Sequence, residues 1–185
     1  GHTGFKGIWL SIILENFGAK VYGFSLKEPS RMKNLKLFNL NNEIETCYGN
    51  IINKQSFYKY SKKVKPQILF HLAAQPLVKE SYKNPHKTFE SNVMGTLNVL
   101  EYAKTSKYLK STVLITSDKC YKNKELSSGY TENSEIGGDD PYSASKAAAE
   151  NLFYAYNKSF FKKNNIGAAT VRAGNVIGGG DWCNN

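Results

Sequence analysis

Short apolar, strand-length runs alternate with helical patterns along this chain, and that alternation restricts the fold more than any single motif. Strands are predicted at 20–24, 44–48, 68–70, 112–115 and 168–171, and helices at 3–17, 53–64, 85–106 and 142–161. The helix at 85–106 follows from Phe89, Val93, Leu97 and Leu100, which recur at three- or four-residue spacing. The helix at 53–64 has to end before Pro66, and Asp140-Pro141 is a start signal for the one at 142–161. Parallel strands need a crossover long enough to hold a helix, so this order builds a parallel sheet covered on both faces. The expected class is α/β, a doubly wound parallel sheet. No internal repeat or low-complexity linker interrupts it.

The chain opens on Gly1-His2-Thr3-Gly4-Phe5-Lys6-Gly7, which has the Gly-x-x-Gly-x-x-Gly spacing of a dinucleotide turn. In such a turn Gly1, Gly4 and Gly7 let backbone approach a pyrophosphate at a helix N-terminus, and the sheet is of the Rossmann type. The turn normally follows a strand, and here nothing precedes the first glycine. The expectation is a fragment lacking the first strand and most of a C-terminal substrate domain. On that reading residues 1–174 form an N-terminally truncated dinucleotide-binding domain, and 175–185 begin the substrate-binding portion. Such a piece is not expected to fold stably alone.

Ser25 stands where a ribose-binding carboxylate is expected, followed by Lys27 and Glu28. A carboxylate there favours NAD and a cation favours NADP, so the residues alone leave both open. Asn50, in Gly49-Asn50-Ile51, either meets an adenine edge or serves as a turn asparagine. In His71-Leu72-Ala73-Ala74-Gln75-Pro76, the two alanines allow close approach of a flat ligand, and His71 reads as a packed histidine at a strand end.

The 185 residues suffice for one domain with a core. No segment approaches the ~20 apolar residues of a membrane span, and no membrane partner is expected. Residues 8–14 are apolar but lack a signal peptide's basic start and cleavage site. Three isolated cysteines, Cys47, Cys120 and Cys183, favour a reducing, cytoplasmic setting over a disulfide scaffold. The formal net charge is +10, but the lysines are scattered apart from local pairs such as Lys62-Lys63 and Lys162-Lys163. Scattered cations read as solvated faces, so no nucleic-acid partner is expected. No His/Cys cluster has metal spacing, and no metal is expected.

Two segments carry the chemistry. Thr116-Ser117-Asp118-Lys119 closes the apolar run Val113-Leu114-Ile115, and Tyr142-Ser143-Ala144-Ser145-Lys146 opens a helix. Tyr142 and Lys146 lie one turn apart on the same face. A cation held there stabilises the phenolate, so the phenol is expected to titrate below its free value and act as a base near neutrality. Ser117 supplies a hydroxyl to share the reacting proton, Asp118 an acid and Lys119 a second base. An oxidation alone needs Tyr142, Lys146 and Ser117; the further pair points to a multistep reaction. Tyr121, Tyr130, Tyr154 and Tyr156 lack this setting and read as packing or surface residues, and Asp139 and Asp140 read as helix-start residues.

Taken together, the motifs at 1–7, 71–78, 92–96 (Asn-Val-Met-Gly-Thr), 116–121, 140–146 and 172–182 resemble the extended short-chain dehydrogenase/reductase family, the NAD-dependent epimerases and dehydratases. Within it they are most similar to the CDP-glucose 4,6-dehydratase branch. The resemblance implies a lyase that forms a 4-keto-6-deoxy sugar nucleotide by internal hydride transfer and loss of water. It implies Tyr142 as the base toward the sugar 4-hydroxyl, Lys146 as its supporting cation, Ser117 beside that hydroxyl, Asp118 as the acid and Lys119 as the second base. It implies cofactor contacts from Gly1, Gly4, Phe5, Lys6, Gly7, Ser25, Asn50, Ile51, Leu72, Ala73, Ala74, Tyr142 and Lys146, with NAD as cofactor. Gln75, Ser117 and Asn175 are the implied contacts to a nucleotide-sugar substrate. Helices near 85–106 and 142–161 are the implied pairing surfaces of a homodimer or homotetramer. A 4-epimerase needs Tyr142 and Lys146 but has no use for Asp118-Lys119, and a non-catalytic dinucleotide-binding module needs none of these groups.

Overall fold

The computed structural model describes residues 1–27 and 44–181; Glu28, Trp182 and Cys183 lie outside them. The chain divides into two compact units, Gly1–Lys65 with Val176–Asn185, and Pro66–Asn175.

In the first unit the glycine turn leads into α1 (Phe5–Asn16), followed by β1 (Tyr22–Ser25), β2 (Glu45–Tyr48) and α2 (Lys54–Val64). The two strands pair in parallel, with Tyr22 opposite Glu45 and Ser25 opposite Tyr48. Ile8 of α1 packs with Ile44, Ile12 and Val21. Phe24 meets the edge of Phe57 at 5.5 Å between ring centroids, which seats α2 on the strands. Asn53 caps α2 by accepting a hydrogen bond from Ser56 N. The helix stops at Lys65, in left-handed conformation (φ 49°), directly before Pro66 as expected.

The second unit holds β3 (Ile68–His71), β4 (Ser111–Ile115) and β5 (Gly167–Val171) in one parallel sheet of order β3-β4-β5. Between β3 and β4 run α3 (Val78–Lys83), α4 (Pro85–Phe89), a π-helical turn (Glu90–Met94) and α5 (Gly95–Thr105). Between β4 and β5 runs α6 (Pro141–Tyr156), continued by a second π-helical turn, Asn157–Phe161. Leu100, Leu114, Phe153 and Phe161 form the centre of the core between sheet and helices. Full burial of side chains this size contributes about 1.5–3 kcal/mol each.

The parallel ladders and crossovers match the expected Rossmann-like class, and all five predicted strands are present within a residue or two. Two details differ. The short helix α3 was not predicted; only Ser81 of its six residues is buried, so it carries no apolar stripe. The predicted helix at 85–106 is present, but its buried face is not the Phe89–Val93–Leu97 stripe. The π turn admits an extra residue and shifts the register. Thr88, Asn92, Thr96, Val99, Leu100 and Ala103 face inward instead, and Phe89 is exposed. Among the described residues no helix is long and apolar enough to cross a membrane. None of their His, Cys, Asp or Glu side chains form a group of three that could hold a metal ion.

Candidate active site

Helix α6 positions the central pair. Asp140 caps it, its Oδ1 accepting hydrogen bonds from Tyr142 N at 2.9 Å and Ser143 N at 3.0 Å, and Pro141 occupies the first turn. Asp140 is thus the helix-start residue the sequence indicated. Gly138 lies so close to the helix that a Cβ there would come 2.3 Å from Ala144 N, so this approach requires glycine. Tyr142, Lys146 and Glu150 recur every four residues and are all buried.

The other half of the site is the end of β4. The Ser117 hydroxyl lies near enough to the Tyr142 phenol to favour its phenolate, so the structure brings together two residues that the sequence paired by motif alone. Ser117 Oγ also donates to Asp118 Oδ1 at 3.0 Å and accepts from Lys119 N at 3.3 Å. Asp118–Cys120 form a single 3₁₀ turn, pinned to the end of β5 by Asp118 N donating to Ala173 O at 3.1 Å. Lys119 Nζ lies 3.6 Å from Asp118 Oδ1, and both side chains are about half exposed.

The expected depression of the Tyr142 pKa is not met. Burial pushes the phenol above its usual value, and the Asp118 and Asp140 carboxylates add to the rise, while the nearby Ser117 hydroxyl opposes it. The reason lies in where the ammonium goes. Lys146 Nζ approaches the Ile115 carbonyl at 3.5 Å and lies 6.0 Å from the centroid of the Tyr142 ring. Four-residue spacing fixes a shared helix face but not the direction of a long flexible side chain.

His71 is buried, with Nε2 3.0 Å from Thr96 Oγ1. Burial, then the Lys146 charge, pushes it down to about 3, which fits the packed, neutral histidine expected. Leu72, Ala73 and Ala74 form the half-buried loop after β3. Gln75, expected to contact substrate, is turned inward. Its Nε2 donates to Leu77 O at 3.0 Å and Thr88 Oγ1 at 2.9 Å, and its Oε1 accepts from Leu77 N, so the amide is occupied within the protein. Asn175 is exposed just beyond β5.

The remaining expected cofactor residues lie in the first unit. A Cβ on Gly7 would sit 2.4 Å from Gly1 O and 2.7 Å from His2 Cα, so the third glycine is required for α1 to pack on the turn. Gly4 begins α1 without a side-chain cap, and the first turn has no acidic residue. Phe5 lies against Gly178, and Lys6 is exposed on the first turn. Ser25 is buried and its hydroxyl is engaged by Thr3 Oγ1 and Leu26 O. Asn50 Oδ1 accepts from Ile52 N at 3.2 Å, the turn-asparagine alternative, and Ile51 beside it is buried.

Sequence reasoning missed two polar centres. Asn92, in the π turn, accepts from Gln75 N at 2.8 Å and donates to Gln75 O at 3.1 Å and Ser145 Oγ at 2.9 Å, tying the loop after β3 to α6. The buried Glu150 forms an ion pair with the part-buried Arg172, Oε2 to Nη2 at 2.9 Å. A usable signal for the second existed: a carboxylate four residues beyond Lys146 on an otherwise alanine-rich face.

The profile of a family described as GDP-mannose 4,6 dehydratase matches residues 1–173. The chain belongs to this family. It is 48% identical over 98% of its length to the CDP-glucose 4,6-dehydratase of Salmonella typhimurium strain LT2, of which it covers 52%. The chain therefore spans about half the length of that relative. Among solved structures, it is similar to UDP-glucose 4-epimerase from Thermus thermophilus, solved as a complex with NAD, with a TM-score of 0.82 at 22% identity over 98% of this chain and 56% of that one. At that identity the likeness concerns the fold. The UDP-glucuronic acid 4-epimerase from Bacillus cereus, solved with UDP-glucuronic acid and NAD, is similar with a TM-score of 0.77 at 26% identity over 93% of this chain and 54% of that one. Membership of the dehydratase family agrees with the resemblance read from the motifs.

Proposed function

We propose that this chain is the dinucleotide-binding part of a sugar-nucleotide 4,6-dehydratase that converts CDP-glucose to CDP-4-keto-6-deoxyglucose with NAD. The observation that carries the proposal is the Ser117 hydroxyl close to the Tyr142 phenol, with the Asp118–Lys119 pair next to it in the chain. The 48% identity to a CDP-glucose 4,6-dehydratase supports the choice of substrate. On this reading residues 1–174 bind the dinucleotide and 175–185 begin the substrate portion.

The glycine turn fits the pyrophosphate of such a cofactor. Gly7 excludes a side chain, and α1 opens with neither a side-chain cap nor an acidic residue. The N–H groups and positive dipole end of such a helix start favour an anion. In the first unit Gly1, Gly4 and Gly7 would face the pyrophosphate; in the second, Ala73 and Ala74 leave room for a flat ring, and Tyr142 and Lys146 suit a nicotinamide ribose. When bound, the nicotinamide supplies a hydride acceptor and then a hydride donor within one turnover.

The protein's own groups move the protons. Tyr142 takes the proton of the sugar 4-hydroxyl, with Ser117 sharing it, as hydride leaves C4. The resulting ketone acidifies the hydrogen on C5. Lys119, as a neutral amine, takes that proton while Asp118, as an acid, protonates the departing 6-hydroxyl, and water is lost across C5 and C6.

The complete protein is assigned a homodimeric or homotetrameric state, supported by the exposed Phe89, Met94, Tyr154 and Phe160 on the helices expected to pair. A reducing cytoplasm suits its free thiols at Cys47 and Cys120. The deciding experiment is incubation of the complete protein with NAD and CDP-, dTDP- or GDP-glucose, followed by mass measurement. Loss of water from the CDP sugar supports the proposal. A product of unchanged mass with inverted C4 replaces it with a 4-epimerase.

A further inference from the structure

The Glu150–Arg172 pair lies behind the site, and the proton transfers above do not use it. Its connections are specific. Glu150 Oε1 accepts from Thr116 Oγ1 at 2.5 Å, and Oε2 accepts from Thr170 Oγ1 at 3.0 Å and Arg172 Nη2 at 2.9 Å. Arg172 Nη1 donates onward to Tyr121 Oη at 3.2 Å and to Glu132 O at 3.0 Å. The guanidinium carbon lies 5.0 Å from the centroid of the Tyr121 ring, which stacks on Tyr130 at 5.2 Å and 10° between planes. Thr116 is the residue before Ser117-Asp118-Lys119-Cys120, and Tyr121 is the residue after it. One carboxylate therefore grips both ends of the turn that carries the acid and the second base.

That carboxylate stands on the same face of α6 as Tyr142, two turns further along. The helix thus bears the oxidation base directly and the anchor of the elimination pair indirectly. A buried ion pair is a poor device for stability, because desolvation offsets most of its attraction. It is a good device for fixing geometry, since losing one partner leaves the other uncompensated.

We propose that Glu150 is a positioning residue for the elimination step, holding the Ser117–Cys120 turn in register with Tyr142 through Thr116 on one side and Arg172–Tyr121 on the other. The proposal rests on the dehydratase reading above.

The test is a single-turnover reaction of the complete protein with NAD and CDP-glucose. The rise of reduced-nicotinamide absorbance reports hydride transfer, and its decay reports elimination and hydride return. Glu150→Gln keeps the shape and removes the charge. It is expected to slow the decay by about tenfold to hundredfold, the scale of a small misplacement of reacting groups, and the rise by less than about threefold, since Ser117 rides on the same turn but only shares the proton that Tyr142 takes. Reduced cofactor then accumulates. Arg172→Lys, which keeps the charge but loses the fork, is expected to act the same way. If Glu150→Gln fails to fold, Tyr121→Phe keeps the ring stack and removes only the hydroxyl that accepts from Arg172. It is expected to slow the decay alone, with an unchanged melting temperature. Rise and decay slowed equally in a folded variant, or neither slowed, would overturn the proposal. Wild-type protein that reduces NAD but releases no water overturns the dehydratase reading itself, a result visible before any variant is made.

Discussion

Tyr142 sits at a tension between burial and reactivity. Its phenol is withdrawn from water, which favours the neutral form, and the Ser117 hydroxyl works in the other direction by favouring the phenolate. Ser117→Ala removes that stabilisation, so the phenol pKa rises. The pH limb of the hydride-transfer rate, which needs phenolate, is therefore expected to move to higher pH, as read from single-turnover absorbance across a pH series. Tyr142→Phe is expected to abolish the absorbance rise outright. Lys119→Met, by contrast, is expected to leave the rise and suppress product dehydration by at least about a hundredfold, the usual scale for a general base; normal turnover in that variant would remove Lys119 from the mechanism. At this scale the Tyr142–Ser117 pairing was legible because each residue stands at an element end that the sequence marks. Val113-Leu114-Ile115 announces the end of β4, and Asp140-Pro141 announces the start of α6. The direction of the Lys146 ammonium and the inward turn of Gln75 were not legible. Each depends on partners, Ile115 O and Thr88 Oγ1, that only the folded chain supplies.

The helices that carry the site are held by few but identifiable contacts. Asp140→Ala removes the cap of α6 and is expected to cost about 1 kcal/mol in denaturant unfolding, with a loss of hydride transfer as the first turn of Tyr142 frays. Asn92→Leu strands Gln75 N and Gln75 O, while Ser145 Oγ keeps its bond to Tyr142 O, and is expected to cost about 3 kcal/mol, measured the same way. Element existence followed from periodicity and turn chemistry, which are local. The π turns did not, because an inserted residue leaves the apolar spacing of Phe89, Val93 and Leu97 intact while rotating the buried face onto Asn92 and Thr96. The same limit hid Glu150, whose partner Arg172 is 22 residues away, just past the end of β5.

For the molecule as a whole, the buried histidine sets an acid sensitivity. His71 is held down to about 3, first by burial and then by the Lys146 charge, against an unfolded value of 6.5. A base with a lowered folded value binds fewer protons in the native state than in the unfolded chain. Its contribution is complete above pH 6.5 and is lost as pH falls from there toward 3. The complete protein is expected to lose unfolding free energy between pH 7 and pH 5, and His71→Asn is expected to lose less over the same interval, by denaturant titration at each pH.

The four-residue recurrence of Tyr142, Lys146 and Glu150 along α6 has a further consequence. Each added or deleted residue turns everything downstream by about 100° around the helix axis. This stretch can therefore drift freely in its outward-facing letters yet is intolerant of any change in count. An exposed loop tip such as Leu126–Gly129, by contrast, leaves a lengthened chain open solvent to occupy.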